Sequence, residues 1–178
     1  MKHFFLFAFA IMICFTACDD DAVTPEESIY KICLEFEPGD EAEIEAALLS
    51  LQDSTKILLA AGNYYFENLS VDGVQLLLIQ GAGQGQTVLD FSGQTSGGEG
   101  ISIRNTSYVT VRGVELLDSK GDLIKLVQCD NVVLADVAAI WTSDSDSTNG
   151  GYAIYPVLCS NVLIDSCYAQ GALSLIHI

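Results

Sequence analysis

From residue 55 onward, apolar and polar positions alternate in short runs separated by Asn, Asp, Ser and Gly. That is the two-residue period of strands with turn punctuation, not the 3.6-residue period of helices. The runs also repeat. QCDNVVLADV at 128–137 returns as LCSNVLIDSC at 158–167, matching Cys129 with Cys159, Asn131 with Asn161, Val132 with Val162, Leu134 with Ile164 and Val137 with Cys167. A third copy carries Ile101-Ser102-Ile103 against Ile124-Lys125-Leu126 and Ile154-Tyr155-Pro156, then Val109-Thr110-Val111 and Val114. A weaker fourth carries Leu69-Ser70-Val71 and Leu77-Leu78-Ile79-Gln80-Gly81. Anchor positions 77, 109, 132 and 162 lie 32, 23 and 30 residues apart, so the unit is about 23 residues with extra segments near 85–99 and 142–151.

Three short strands in such a unit cannot bury their faces alone. They predict a coil that stacks on its neighbours, each inward residue about 4.8 Å from its counterpart. Val111, Leu134 and Ile164 are expected in one buried stack, and Val114, Val137 and Cys167 in another. Asn131 and Asn161 are expected to ladder their amides along the axis. Cys129 and Cys159 would stack within disulfide reach by separation alone, although in-register neighbours seldom offer the required torsion. The alternative for these two, and for Cys33 and Cys167, is a role as small buried hydrophobes.

The N-terminal part differs. Asp40-Glu41-Ala42-Glu43 has the form of a capping box, and Ile44, Ala47, Leu48 and Leu51 then share one face of a short helix. TKILLAAGNYYF at 55–66 alternates as a strand with a turn expected at Gly62-Asn63, and the helix is expected to cover the open end of the core. Residues 31–54 therefore read as a cap and 55–171 as the coils. The first seventeen residues read as an export signal: Lys2 and His3 precede an apolar run, Phe4 to Phe15, too short to span a bilayer comfortably.

FTAC at 15–18 resembles the lipobox of bacterial lipoproteins, with Phe15 where leucine is usual and Cys18 as the acylated residue; ordinary cleavage near Ala17 is the alternative. Acylation implies a lipid anchor followed by an acidic tether at 18–30. An acidic run behind the lipid cysteine resembles surface-export signals of some Gram-negative lineages, while Asp19 directly after it resembles retention signals of others. The bacterial cell envelope is the expected location, at the outer membrane or cell surface. KILLAAGNYYF, LLLIQGAGQGQTVLDFSG and the NVxxxxV segments resemble right-handed parallel β-helix proteins of the pectate-lyase-like superfamily, within it the parallel β-helix repeat-containing bacterial lipoproteins. The resemblance covers 55–171 and implies an all-β, right-handed parallel β-helix with carbohydrate-related relatives. The final ALSLIHI lacks the polar turn such a template requires. Residues 172–178 thus read as a doubtful tail, and the chain as the N-terminal part of a longer protein.

Charge narrows the partners. Lys and Arg number 7 against 24 Asp and Glu, a net charge of −17, and twelve of the acids lie between Asp19 and Asp53. Counterion release cannot drive nucleic-acid binding on such a chain. Lys125, between inward Ile124 and Leu126, is expected to point outward with Ser102 and Tyr155 stacked beside it. With Asp122, and with Trp141 as a stacking surface, these residues form a candidate carbohydrate-binding group. Asp118, Asp122, Asp144 and Asp146 border one face, but no glycosidase pair separated by about 5–9.5 Å is evident.

Asp144-x-Asp146-x-Thr148 opens like a Ca²⁺ loop, yet Asn149 replaces the glycine and Tyr155 the glutamate that such a loop requires. No other cofactor is indicated. GAGQG at 81–85 lacks the Lys-Ser/Thr ending of a phosphate loop and reads as a tight turn. The only histidine beyond the leader is His177, so neither Ser nor Cys has a base for nucleophilic chemistry. The expectation is an envelope lipoprotein that binds or processes carbohydrate, with lyase, epimerase or glycosidase-like chemistry if it is an enzyme. The competing expectation is a non-catalytic scaffold working with a co-expressed envelope protein.

Overall fold

The computed structural model describes residues 29–96, 98–143 and 146–176. Cys18, the leader and Asp144 lie outside them. Within them the protein is all-β with a single helix: β1 (Ile32–Phe36), α1 (Glu41–Leu49), β2 (Thr55–Leu59), β3 (Gly62–Tyr65), β4 (Leu69–Asp72), β5 (Gln75–Gln80), β6 (Thr87–Asp90) and β7 (Ile101–Arg104). There follow β8 (Ser107–Leu117), β9 (Ile124–Val127), β10 (Asp130–Ile140), β11 (Tyr152–Val157), β12 (Ser160–Asp165), β13 (Tyr168–Gln170) and β14 (Ser174–Ile176). No helix among the described residues is long and apolar enough to cross a membrane.

Every strand pairing is parallel. One sheet runs β1-β2-β5-β8-β10-β12, with β3, β6 and β13 joined to it, and the other runs β14-β11-β9-β7-β4. The register follows the sequence repeats residue for residue. Val132 lies between Val109 and Val162, Leu134 between Val111 and Ile164, and Ile124 between Ile101 and Ile154. Leu69-Ser70-Val71 lies beside Ile101-Ser102-Ile103, and Leu77 beside Val109. Leu77, Val109, Val111, Val132, Leu134 and Val137 are buried in one core. Each such side chain contributes about 1.5–3 kcal/mol when removed from water.

The long strands β8 and β10 change direction halfway. Ser107 to Arg112 of β8 pair with β5, whereas Glu115 to Leu117 pair with β6. The bend falls at Gly113, whose φ is +66°, and in β10 at Asp136, φ 54°. Left-handed residues recur in register. Leu76, Tyr108, Asn131 and Asn161 (φ 60°, 57°, 54° and 52°) immediately follow the paired residues Gln75, Ser107, Asp130 and Ser160. Asn105, Gln128 and Leu158 (φ 49°, 55° and 53°) likewise follow Arg104, Val127 and Val157. The corner therefore has one backbone conformation whatever residue occupies it. This explains Asn131 and Asn161: asparagine tolerates the left-handed region at little cost, whereas most L-residues lose roughly 1–2 kcal/mol there. Their amides do not ladder on one another as expected. Asn131 Nδ2 donates to Asp130 Oδ2 (2.6 Å) and Asn161 Nδ2 to Asp130 Oδ1 (3.0 Å).

The N-terminal region departs from expectation in three ways. β1, carried by the alternation of Ile32, Leu34 and Phe36, pairs with β2 inside the segment read as a cap. Asp40 stands at the N-cap of α1 but makes no capping bond; its Oδ2 instead accepts from Glu37 N at 2.9 Å, and Glu43 is exposed. The expected turn at Gly62-Asn63 falls earlier, at Ala60-Ala61, because Gly62 already begins β3. Ile44 and Leu48 do enter the core as expected, with α1 packed on β4. At the opposite edge, Val162, Ile164, Cys167 and Ala169 are only half-buried, although their neighbours in β10 are buried. Ser174–Ile176 pairs with β11.

Leu134→Ala, in the closed part of the stack, is expected to cost about 2–5 kcal/mol in denaturant unfolding, and Ile164→Ala at the half-buried edge clearly less. Tyr108→Asn, at an exposed left-handed corner held by asparagine in the next two layers of the stack, is expected to stabilise by about 1 kcal/mol.

Candidate functional site

β9 alternates Ile124 and Leu126 inward with Lys125 outward, and the register places Ser102 on one side of Lys125 and Tyr155 on the other. Three of the four residues expected to touch carbohydrate thus come together. Lys125 Nζ lies 3.1 Å from Asp122 Oδ2 and 5.3 Å from the Tyr155 ring centroid. Asp122 is fixed from the other side by Tyr152 N, which donates to its Oδ1 at 3.1 Å.

The fourth residue, Trp141, is not on this surface. Its side chain is 2 % exposed within the core, and its Nε1 donates to Ser119 O at 2.8 Å. The reason lies in the strand period. Val137 and Ala139 point inward, so the same alternation carries the indole inward after β10 ends. Gly150 makes room for it, since a Cβ there would come within 2.7 Å of Trp141 Cζ2 and would overlap the carbonyl oxygen of Gly121.

The geometry adds three residues to the expected group. Glu99 Oε1 is 3.2 Å from Lys125 Nζ and 3.6 Å from Arg104 Nη2, while Arg104 Nε donates to Ser102 Oγ at 3.1 Å. Tyr152 and Tyr155 are tilted by 35° with centroids 4.3 Å apart. Glu99 enters from the segment before β7, where no repeat position marks it, and Tyr152 is the first residue of β11. Arg104 could have been read from the register, which sets it two residues from Ser102 on the same outward face.

Burial alone pulls the Lys125 pKa down, but hydrogen bonds to Asp122 and Glu99 outweigh it and hold the ammonium above its ordinary 10.5. The result is a charge-balanced patch, two carboxylates against two cations, beside an aromatic pair. Chemically it offers hydroxyl acceptors, an ammonium donor and a ring face. Glu99 and Asp122 are both committed to Lys125, an arrangement suited to binding more than to a glycosidase acid and nucleophile pair.

The other candidate positions serve turns. Asp118 Oδ1 and Oδ2 accept from Thr142 N and Oγ1, both at 2.7 Å. Asp146 Oδ1 accepts from Thr148 N at 2.8 Å and from its hydroxyl at 2.9 Å, bonds that hold the carboxyl below its ordinary 3.8. Asp144, its expected partner for Ca²⁺, lies outside the described residues. Among the described residues no group of three or more His, Cys, Asp or Glu is placed to hold a metal. Gly81 sits in the tight corner beside Gly113, where a Cβ would strike backbone.

Cys129 and Cys159 stack as expected, with Cys129 N donating to Cys159 Sγ at 3.4 Å. The four cysteines of the described residues are all free thiols, so no bond joins this pair. Burial pushes the Cys129 thiol pKa up. Cys33 is exposed, not the buried hydrophobe expected.

The chain matches no family model, no curated protein and no solved structure.

The Lys125 cluster generates a pH prediction. Its folded pKa is raised, so its stabilisation is complete below the ordinary 10.5 and is lost as pH rises through the raised value. Lys125→Met is expected to cost on the order of 1 kcal/mol at neutral pH, because the group is partly exposed. The variant's unfolding midpoint should also lack the alkaline decline of the parent above about pH 10.5.

Proposed function

We propose that the chain is a right-handed parallel β-helix, held at the bacterial envelope by lipid on Cys18, that binds carbohydrate on the face carrying Asp122, Lys125 and Tyr155. The β-helix reading is supported by the register. Successive layers repeat the same inward rows and the same left-handed corners, and parallel crossovers of this kind are right-handed in nearly all proteins. The observation that carries the binding reading is the outward Lys125 between Asp122, Glu99 and Tyr155. Aromatic rings take the apolar faces of sugars, and carboxylates take their hydroxyls. The anchor reading rests on the apolar leader and FTAC at 15–18.

A second reading, an interaction scaffold for a co-expressed envelope protein, is favoured by a separate observation. Leu158, Leu163, Tyr168, Leu173 and Leu175 are each exposed in the last described segments. It is distinguished by capture of a defined envelope protein in the absence of glycan binding.

Two measurements check the proposal. Cys18→Ser is expected to abolish palmitate labelling and release the protein from the membrane fraction. An unchanged membrane fraction would remove the anchor. Glycan binding to the intact protein is expected to weaken about tenfold in Tyr155→Ala, the loss of roughly 1.4 kcal/mol of ring contact. Trp141→Phe, which keeps the core filled, should leave binding unchanged.

A further inference from the structure

The charge arrangement at the Lys125 face bears on which glycan it takes, an inference that rests on the carbohydrate-binding reading above. A uronate needs an uncommitted cation for its carboxylate. Here Glu99 Oε1 occupies both neighbouring cations, at 3.2 Å from Lys125 and 3.6 Å from Arg104, and Asp122 takes Lys125 from the other side at 3.1 Å. An incoming carboxylate would have to compete with Glu99 for both and would lie against its negative charge. It would also approach a chain of net charge −17.

A neutral sugar meets no such barrier. Vicinal hydroxyls can donate to the remaining lone pairs of Glu99 and Asp122 while accepting from the remaining Lys125 N–H, and no ion pair need break. The C–H face of the ring can lie against half-buried Tyr155, whose orientation is set by Tyr152 at 4.3 Å. We infer that this face selects uncharged pyranosides bearing vicinal hydroxyls and rejects uronates, with Glu99 as the residue that sets the discrimination.

The test is calorimetric titration of the intact protein with gluco-, manno- and galacto-oligosaccharides and, separately, with oligogalacturonate. Each is run at ionic strengths where the Debye length is about 8 Å and about 3 Å. The expected result is binding of at least one neutral oligosaccharide with an affinity that changes less than about twofold between the two salts, and no uronate binding. Glu99→Gln, which frees Arg104 and leaves Lys125 paired with Asp122 alone without changing side-chain size, is expected to admit oligogalacturonate at the lower salt. Oligogalacturonate binding by the parent protein that weakens with salt, or exclusion of uronate by Glu99→Gln as complete as in the parent, overturns this inference while leaving carbohydrate binding standing. Binding of none of these glycans overturns both.

Discussion

In-register parallel stacking is the constraint on which the rest of the structure depends. Each strand beyond the first lies on a counterpart with the same inward side, so each layer fixes the pattern of the next. A slip of one residue would send Val132 and Leu134 outward and turn polar Asn131 toward the core. The corners reinforce this. Leu76, Tyr108, Asn131 and Asn161 share the left-handed conformation although only two of them favour it. Local propensity gives way there to the geometry of the stack. Small residues lie where layers approach most closely, as Gly121 and Gly150 do against the backbone beside them.

The outward face inherits its order from the same constraint. Ser102, Lys125 and Tyr155 are separated along the chain yet adjacent in space because the register brings them together. Glu99 and Asp122 then reach the ammonium from the segments that enter β7 and β9. The core thus supplies the rigidity and the connecting segments the charge, a division in keeping with loops that carry chemistry on a fixed scaffold.

Much of this was legible in the sequence because the repeats are residue-for-residue copies. Val109, Val132 and Val162 hold equivalent places in the repeats and are partners in the strands. The strand β1 was less visible because it stands apart from the repeats across α1, although Ile32, Leu34 and Phe36 alternate as any strand does. Trp141 was misplaced because its size and polarity suggested a binding surface, while the period from Val137 through Ala139 already pointed it inward. Asp40 illustrates a different limit. A capping-box pattern specifies where a helix begins, but the carboxylate found a competing donor in Glu37 N three residues upstream. Glu99 was not legible at all, since its role depends on loop geometry that no periodicity encodes, and Tyr152 begins β11 just outside the matched triplets.

The central claim is the register itself, and cross-strand contacts in nuclear magnetic resonance test it most directly. The account predicts backbone nuclear Overhauser contacts from Val132 to both Val109 and Val162, with the same offset carried to Lys125 against Ser102 and Tyr155. Contacts displaced by one residue, or Val132 contacting only one of its two counterparts, would contradict it.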